Sequence, residues 1–295
     1  MGWQILHISQ PARLTLEHKQ CALFFPEQSE KVVIPINNLT AVILESTAVT
    51  LTSALLQAFA QNQIAVFVCN EVHLPNGVLL PYMPYFAYSK TAYQQVKWSI
   101  PFKNRLWQRI VQAKINNQAY VLRQQRYVEE AEKLQTIARV VSSGDKVNRE
   151  GQAAAIYWRT LFGTSFSRDQ ETFTNAALNY GYAILRGIVA RCLVGSGLMP
   201  CFGLHHSNQL NAFNLDDDLM ELLRPLVDMQ VLQMNRQETQ RLTPENKIDL
   251  LTLLVNEYAF DKQKSSLLAI CEHISGSLVK ATEQKDHRLF KLFVL

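Results

Sequence analysis

No run of apolar residues in this 295-residue chain approaches the roughly 20 needed to cross a bilayer. The opening stretch, MGWQILHISQPARLTLEHK, is broken by polar and charged residues where a secretion signal needs an unbroken apolar region. Met1-Gly2 resembles a myristoylation start, but Leu6 stands where Ser or Thr is required. A cytoplasmic protein with no membrane partner is therefore expected. The five cysteines (Cys21, Cys69, Cys192, Cys201, Cys271) are odd in number and widely spaced, with no CxxC pair. That argues against a disulfide framework or a zinc ribbon and for buried free thiols. There is no GxSxG, HExxH, Walker A or GxGxxG pattern, so the usual serine hydrolase, zincin, P-loop and dinucleotide signatures are missing. No internal repeat stands out.

Acidic residues are also missing from Val72 to Val128, while Lys90, Lys97, Lys103, Arg105, Arg109, Lys114, Arg123 and Arg126 all fall there. Tyr85, Tyr88, Tyr93, Trp98, Trp107 and Tyr120 are interleaved. The net charge of +4 says little by itself. A long basic, aromatic-rich segment suits a polyanion, because neutralising phosphates releases counterions and drives association. Apolar content of 48% and charged content of 18% fit a globular chain with a full core, long enough for one large or two smaller domains.

The chain divides by periodicity. Trp3–Ile8, Arg13–His18, Cys21–Phe25, Lys31–Ile36, Thr40–Leu44, Ile64–Cys69 and Val78–Leu80 read as strands, the second and third as a hairpin. Leu51–Gln61 has helical spacing, with Thr50 as its N-cap. Pro81–Tyr88 carries two prolines and three tyrosines and reads as a linker. Helical spacing then persists through Leu106–Ala113, Ala119–Leu134, Gly151–Phe162, Asn175–Val194, Leu219–Met234, Pro244–Tyr258 and Lys264–Gln284. The expected architecture is α+β: a small β-rich domain over residues 1–85, a linker near 81–92, and an all-α domain over 86–295.

Two stretches could carry chemistry. Glu150 opens a helix of small residues (REGQAAAIYW), where an acid is favoured by the helix dipole whatever else it does. Gly203–Asp228 (GLHHSNQLNAFNLDDDLMELLRPLVD) delivers His205 and His206 on a connector, then three aspartates at a helix start. Asn214 and Asp217 read as a capping pair, and Asp216 also reads as a capping residue. Asp218 and Glu221 share one helix face, and Glu221 is too far into the helix to be a cap. Two carboxylates and an imidazole suit a hard-to-borderline divalent ion, Mg²⁺ or Mn²⁺. A solvated acidic helix with a structural histidine is the competing reading of the same residues.

Four motifs in order, Asn148–Trp158, Asn175–Arg186 (NAALNYGYAILR), Gly203–His206 and Phe213–Asp228, resemble the CRISPR-associated spacer-integration endonucleases ("Cas one"), in the branch that accompanies type II systems. The resemblance spans most of the chain. It implies that Glu150, His206 and Glu221 are catalytic metal ligands, with Asp218 as an auxiliary acid, and it favours His206 over His205. It implies a homodimer formed through the β-rich domain, and a small ferredoxin-like partner subunit ("Cas two"). It also implies a metal-dependent endonuclease and integrase that inserts short DNA fragments into a CRISPR array by 3′-hydroxyl attack on a repeat phosphodiester. From charge alone, Arg105, Arg109, Arg123, Arg126, Arg149 and Arg159 are candidate DNA contacts, along with Lys103 and Arg168. Tyr157 and Trp158 are more plausible as core residues than as stacking platforms. A non-catalytic DNA-binding assembly subunit and a stand-alone structure-specific nuclease are the alternatives.

Overall fold

A computed structural model describes residues 4–28, 30–80, 88–234 and 242–295. Two four-stranded sheets fill the first part. One has the order β1 (Gln4–Ile8), β5 (Leu39–Leu44), β7 (Ala65–Cys69), β8 (Pro75–Leu79), with the first three strands parallel and β8 antiparallel. The other has the order β4 (Val32–Pro35), β3 (Gln20–Phe24), β2 (Ala12–Glu17), β6 (Val49–Leu51). The expected hairpin is β2–β3, closed by His18 and Lys19 with φ of 48° and 62°, the left-handed pair a tight two-residue turn requires. Helix α1 (Ser53–Gln61) is capped by Thr52, two residues later than the spacing predicts, because residues 49–51 pair as β6.

The first sheet has apolar residues on both faces, and period-two alternation sorts them. Val42, Leu44 and Val66 pack toward the second sheet and α1, whereas Ala41, Ile43, Ala65 and Phe67 join the core of the helical region. The helix that lies on this sheet is α6 (Phe173–Gly195). It approaches through Gly187, where a Cβ would sit 2.1 Å from the Phe67 ring. An ion pair also joins the two parts: Glu45, at the end of β5, meets Lys247 Nζ at 2.5 Å, and both are buried.

The rest is mostly helical: α2 (Tyr88–Val96), α3 (Ile100–Gln124), α4 (Val128–Arg139), α5 (Arg149–Phe162), α6, α7 (Asn214–Met220), α8 (Arg224–Met234), α9 (Pro244–Thr252) and α10 (Leu267–Gln284). Residues 81–87 of the expected linker lie outside the described residues, and residues 88–92 belong to α2. Two expected helices prove to be pairs. α3 and α4 are separated at Arg126, which has φ of 69°, and α7 and α8 are separated by a turn at residues 221–223. The expected all-α region also contains a hairpin, β9 (Glu257–Phe260) with β10 (Gln263–Ser266), turned at Asp261-Lys262. These four-residue strands are too short to stand out by alternation, and β10 is polar throughout.

Candidate metal centre

The long helix α3 runs past the N-terminus of α5 and the α7–α8 turn, and it brings one side chain to both. Lys114 is 7% exposed, on the same stripe as Trp107, Ile110, Val111 and Gln118. Its Nζ bonds Glu150 Oε1 at 2.5 Å and closes on Glu221 Oε2. Glu221 Oε2 is thus buried against the Lys114 ammonium, which pairs with both carboxylates. Arg224 Nε lies 3.2 Å from the other Glu221 oxygen. Burial alone would raise the Glu221 carboxyl, but Lys114 and Arg224 outweigh it and hold the group below the ordinary glutamate value. Burial likewise opposes the Lys114 charge, and the two glutamates overcome it.

Glu150 is placed by a double cap. Asp145 accepts the backbone N–H groups of Arg149 (2.8 Å) and Glu150 (2.9 Å), and Asn148 accepts that of Gly151 at 2.9 Å. Glu150 therefore sits in the first turn of α5, as its sequence position suggests, and points to Lys114 rather than to a backbone N–H.

His206 is placed by Asp218. The Asp218 carboxylate is fully buried and accepts the backbone N–H groups of Leu204, His205 and His206 at 2.5, 3.1 and 3.1 Å. This converging loop needs Gly203, where a Cβ would lie 2.3 Å from the His206 carbonyl oxygen. Asp218 Oδ1 also meets His206 Nδ1 at 2.8 Å, which leaves Nε2 for another partner. The Asp218 bond, working against burial, raises the His206 imidazole above its ordinary value. The neighbouring His205 ring lies flat on Trp107, with centroids 4.4 Å apart and planes 2° apart, so it is a packing residue.

The other residues of this stretch divide differently from the sequence expectation. Phe213, not Asn214, is the N-cap of α7, and the capping pair does not form. The Asn214 amide instead donates to the carbonyls of Cys201, Asn208 and Asn211 and holds the connector together. Asp217 pairs with Arg186 and Asn211. Asp216 caps nothing: both its oxygens are buried without a partner among the described residues, and burial pushes its carboxyl well above the usual range.

Among the described residues, no three His, Cys, Asp or Glu side chains stand close enough together to hold a metal ion as they are. Glu150 and Glu221 do meet, around the Lys114 ammonium, and His206 faces Glu221 closely enough for each to bias the other's charge. Two carboxylates around one cation and an oriented imidazole fit a divalent ion in donor chemistry. Beside His206 lies a groove of about 480 Å³ lined by Gln95, Trp98, Lys103, Phe202 and Asn208.

The candidate phosphate contacts are not equivalent. Arg105, Arg126 and Arg159 are exposed, and Arg123 is exposed while bonding Gln135 at 2.8 Å. Arg149, half-buried beside Glu150, bonds Gln152 at 2.7 Å. Arg109 is tied to the His287 carbonyl, so it does not continue a free stripe with Arg105. Arg168 bonds Asn175 and Asn179 and lies over the Tyr182 ring. Tyr157 is fully buried and Trp158 stacks on Phe162 and Phe166, so both are core residues.

Lys114, Arg224 and Asp145 escaped sequence reasoning. The available signal was a lysine at i+4 from Ile110 and i+3 from Val111, on an otherwise apolar stripe. A second buried unit lies behind Arg224, whose guanidinium covers the Tyr182 ring at 4.9 Å. Tyr182 and Tyr157 both donate to Asp228, Tyr157 at 2.9 Å.

A β-rich part followed by a helical part that carries these acids defines a class of known architecture. A casposase bound to integration product superposes with a TM-score of 0.76 at 17% identity, covering 97% of this chain and 91% of that one. A chain of a Cas6-RT-Cas1–Cas2 complex superposes with a TM-score of 0.75 at 18% identity, covering 98% of this chain and 36% of that one. At that identity the likeness concerns the fold. The chain belongs to the family described as CRISPR associated protein Cas1, whose profile matches residues 6–249. It is 38% identical to the CRISPR-associated endonuclease Cas1 of Neisseria meningitidis serogroup C (strain 8013), over 99% of this chain and 96% of that protein. Among the described residues, no helix is long and apolar enough to cross a membrane.

Asp228 gives a pH test of the buried unit. Burial pushes its carboxyl from 3.8 up to about 6, against the tyrosine bonds and Arg224. The folded chain thus holds this proton more tightly than the unfolded one. The stability it contributes is complete below about pH 4 and is lost as pH rises through about 6. Melting curves of wild type should show a decline between pH 4 and 6.5, on the order of 2–3 kcal/mol, that Asp228→Asn flattens. Parallel pH profiles for the two proteins would contradict the assignment.

Proposed function

We propose that this chain is a divalent-metal-dependent DNA endonuclease and integrase of CRISPR adaptation. In this reading it joins the 3′-hydroxyl of a short DNA fragment to a repeat phosphodiester. The observation that carries the proposal is the meeting of Glu150 and Glu221, from α5 and the α7–α8 turn, around one cation beside an oriented His206. Family membership and the structural likeness to a casposase bound to integration product support it.

Glu150, Glu221 and His206 through Nε2 would hold Mg²⁺ or Mn²⁺. When bound, the ion supplies charge neutralisation at the phosphate and a lowered pKa for the attacking hydroxyl. The chain does the rest. Asp218 keeps the His206 proton on Nδ1, so that Nε2 presents a lone pair, and it fixes the loop that carries the ring. Asp218 thereby acts through His206 rather than as a ligand. Arg224 stays on Glu221 and keeps it ionised. The groove beside His206 would receive a DNA end, and Arg149 stands beside Glu150 within reach of a phosphate. Along α3, Arg105 and Arg123 are about five turns apart on one exposed face, opposite the buried stripe that carries Lys114, so any DNA they contact follows the outside of this helix.

Assembly is part of the proposal. The edge strand β4 exposes Val32 and Val33 at 44% and 37%, an apolar edge unpaired among the described residues that suits a homodimer contact. A ferredoxin-like Cas2 subunit would be the further partner, as in the Cas6-RT-Cas1–Cas2 complex.

Three measurements test this reading. Glu150→Ala and Glu221→Ala should each lower strand transfer of a labelled fragment by at least about 100-fold, with DNA binding measured in the absence of divalent ions within a few-fold of wild type. Wild-type transfer rates in both would remove the metal centre. Arg105→Glu combined with Arg126→Glu should weaken DNA binding and reduce the slope of log affinity against log salt by about 2. An unchanged slope excludes those two side chains. Val32→Lys with Val33→Lys should shift the protein from dimer to monomer in sedimentation equilibrium with an unaltered melting curve, and a persistent dimer would place the contact elsewhere.

A further inference from the structure

The site described above is charge-balanced before any metal enters. Glu150 and Glu221 contribute two negative charges, and Lys114 and Arg224 contribute two positive ones in direct contact with them. Asp218 is turned toward His206 and three backbone N–H groups rather than toward the glutamates. Lys114 cannot leave easily, because its stem is packed on the α3 stripe and only a small part of it reaches solvent. Arg224 is held on the Tyr182 ring. A divalent ion drawn between the glutamates therefore meets two resident cations at close range in a poorly solvated place, where like charges repel strongly.

We propose that Lys114 makes metal loading conditional on substrate. Without DNA its ammonium occupies the contact between Glu150 and Glu221, holds the two carboxylates together and competes with the divalent ion. A DNA phosphate brings negative charge and acceptor oxygens, so the ammonium has a new partner and the ion a balanced site. Loading is then coupled to DNA binding, and by linkage each tightens the other by the same factor. The inference rests on the reading of Glu150, His206 and Glu221 as metal ligands.

The test reads Mn²⁺ binding directly, by loss of the free-ion signal in electron paramagnetic resonance. It is done with and without a short duplex whose 3′ ends are dideoxy, so that no transfer occurs. Wild type should bind Mn²⁺ at least tenfold more tightly with the duplex than without it. Lys114→Met should bind Mn²⁺ at least tenfold more tightly than wild type in the absence of DNA, and the duplex should add less than threefold. Lys114→Gln provides a second neutral side chain should the methionine variant not fold, and Lys114→Arg should keep the wild-type coupling. Equal Mn²⁺ affinity of wild type with and without the duplex overturns the inference whatever the variants do. So does a Lys114→Met protein that keeps the full effect of DNA. Glu221→Gln separates the two levels of the argument. If wild type binds Mn²⁺ and Glu221→Gln does not, the centre stands even when the coupling fails. If Glu221→Gln binds as wild type does, the metal centre itself is wrong.

Discussion

Two ionised carboxylates brought together in a poorly solvated place need a cation between them. Here that cation is the Lys114 ammonium, and the helical part is arranged so that one helix can deliver it. α3 must run unbroken from Ile100 to Gln124 past both acids. Asp145 and Asn148 must start α5 where Glu150 faces α3, and the helix after Asp218 must break so that Glu221 turns toward it. Truncating Lys114 leaves Glu150 without its partner and the buried Glu221 with Arg224 alone, which is more costly than losing an exposed ion pair.

The second constraint is Asp218. One carboxylate gathers three backbone N–H groups and an imidazole nitrogen, which ties the connector after α6 to the start of α7 and fixes the orientation of one histidine of a pair. The adjacent histidine packs on Trp107. Adjacent residues of the same type thus have different roles because a loop points consecutive side chains in different directions. Behind the site, Arg224 links Glu221 to the Tyr182–Asp228–Tyr157 unit. The charge of the site is therefore set by residues well away from the surface.

Much of the fold was legible because periodicity is a local property. The hairpin β2–β3, the buried strands β5 and β7, and the helices α5, α6 and α10 fall close to where alternation and helical spacing place them. The breaks were less legible. Arg126 takes a left-handed turn between two helices with a continuous apolar pattern, and the β9–β10 hairpin has strands of only four residues, one of them wholly polar. α2 was hidden in a tyrosine-rich stretch that resembles a linker.

The amino-acid sequence alone determined the order of the β-rich and helical parts, the acid-free basic stretch and, through four motifs in order, the family. Each of these depends on residue type and spacing along the chain. Only the tertiary structure decided what the charges do. It gave Asp218 to His206, left Asp216 without a hydrogen-bond partner among the described residues, tied Arg109 to the His287 carbonyl and set Lys114 between two acids 36 and 107 residues away in sequence. Those outcomes depend on which groups share a desolvated space, and no one-dimensional spacing carries that information.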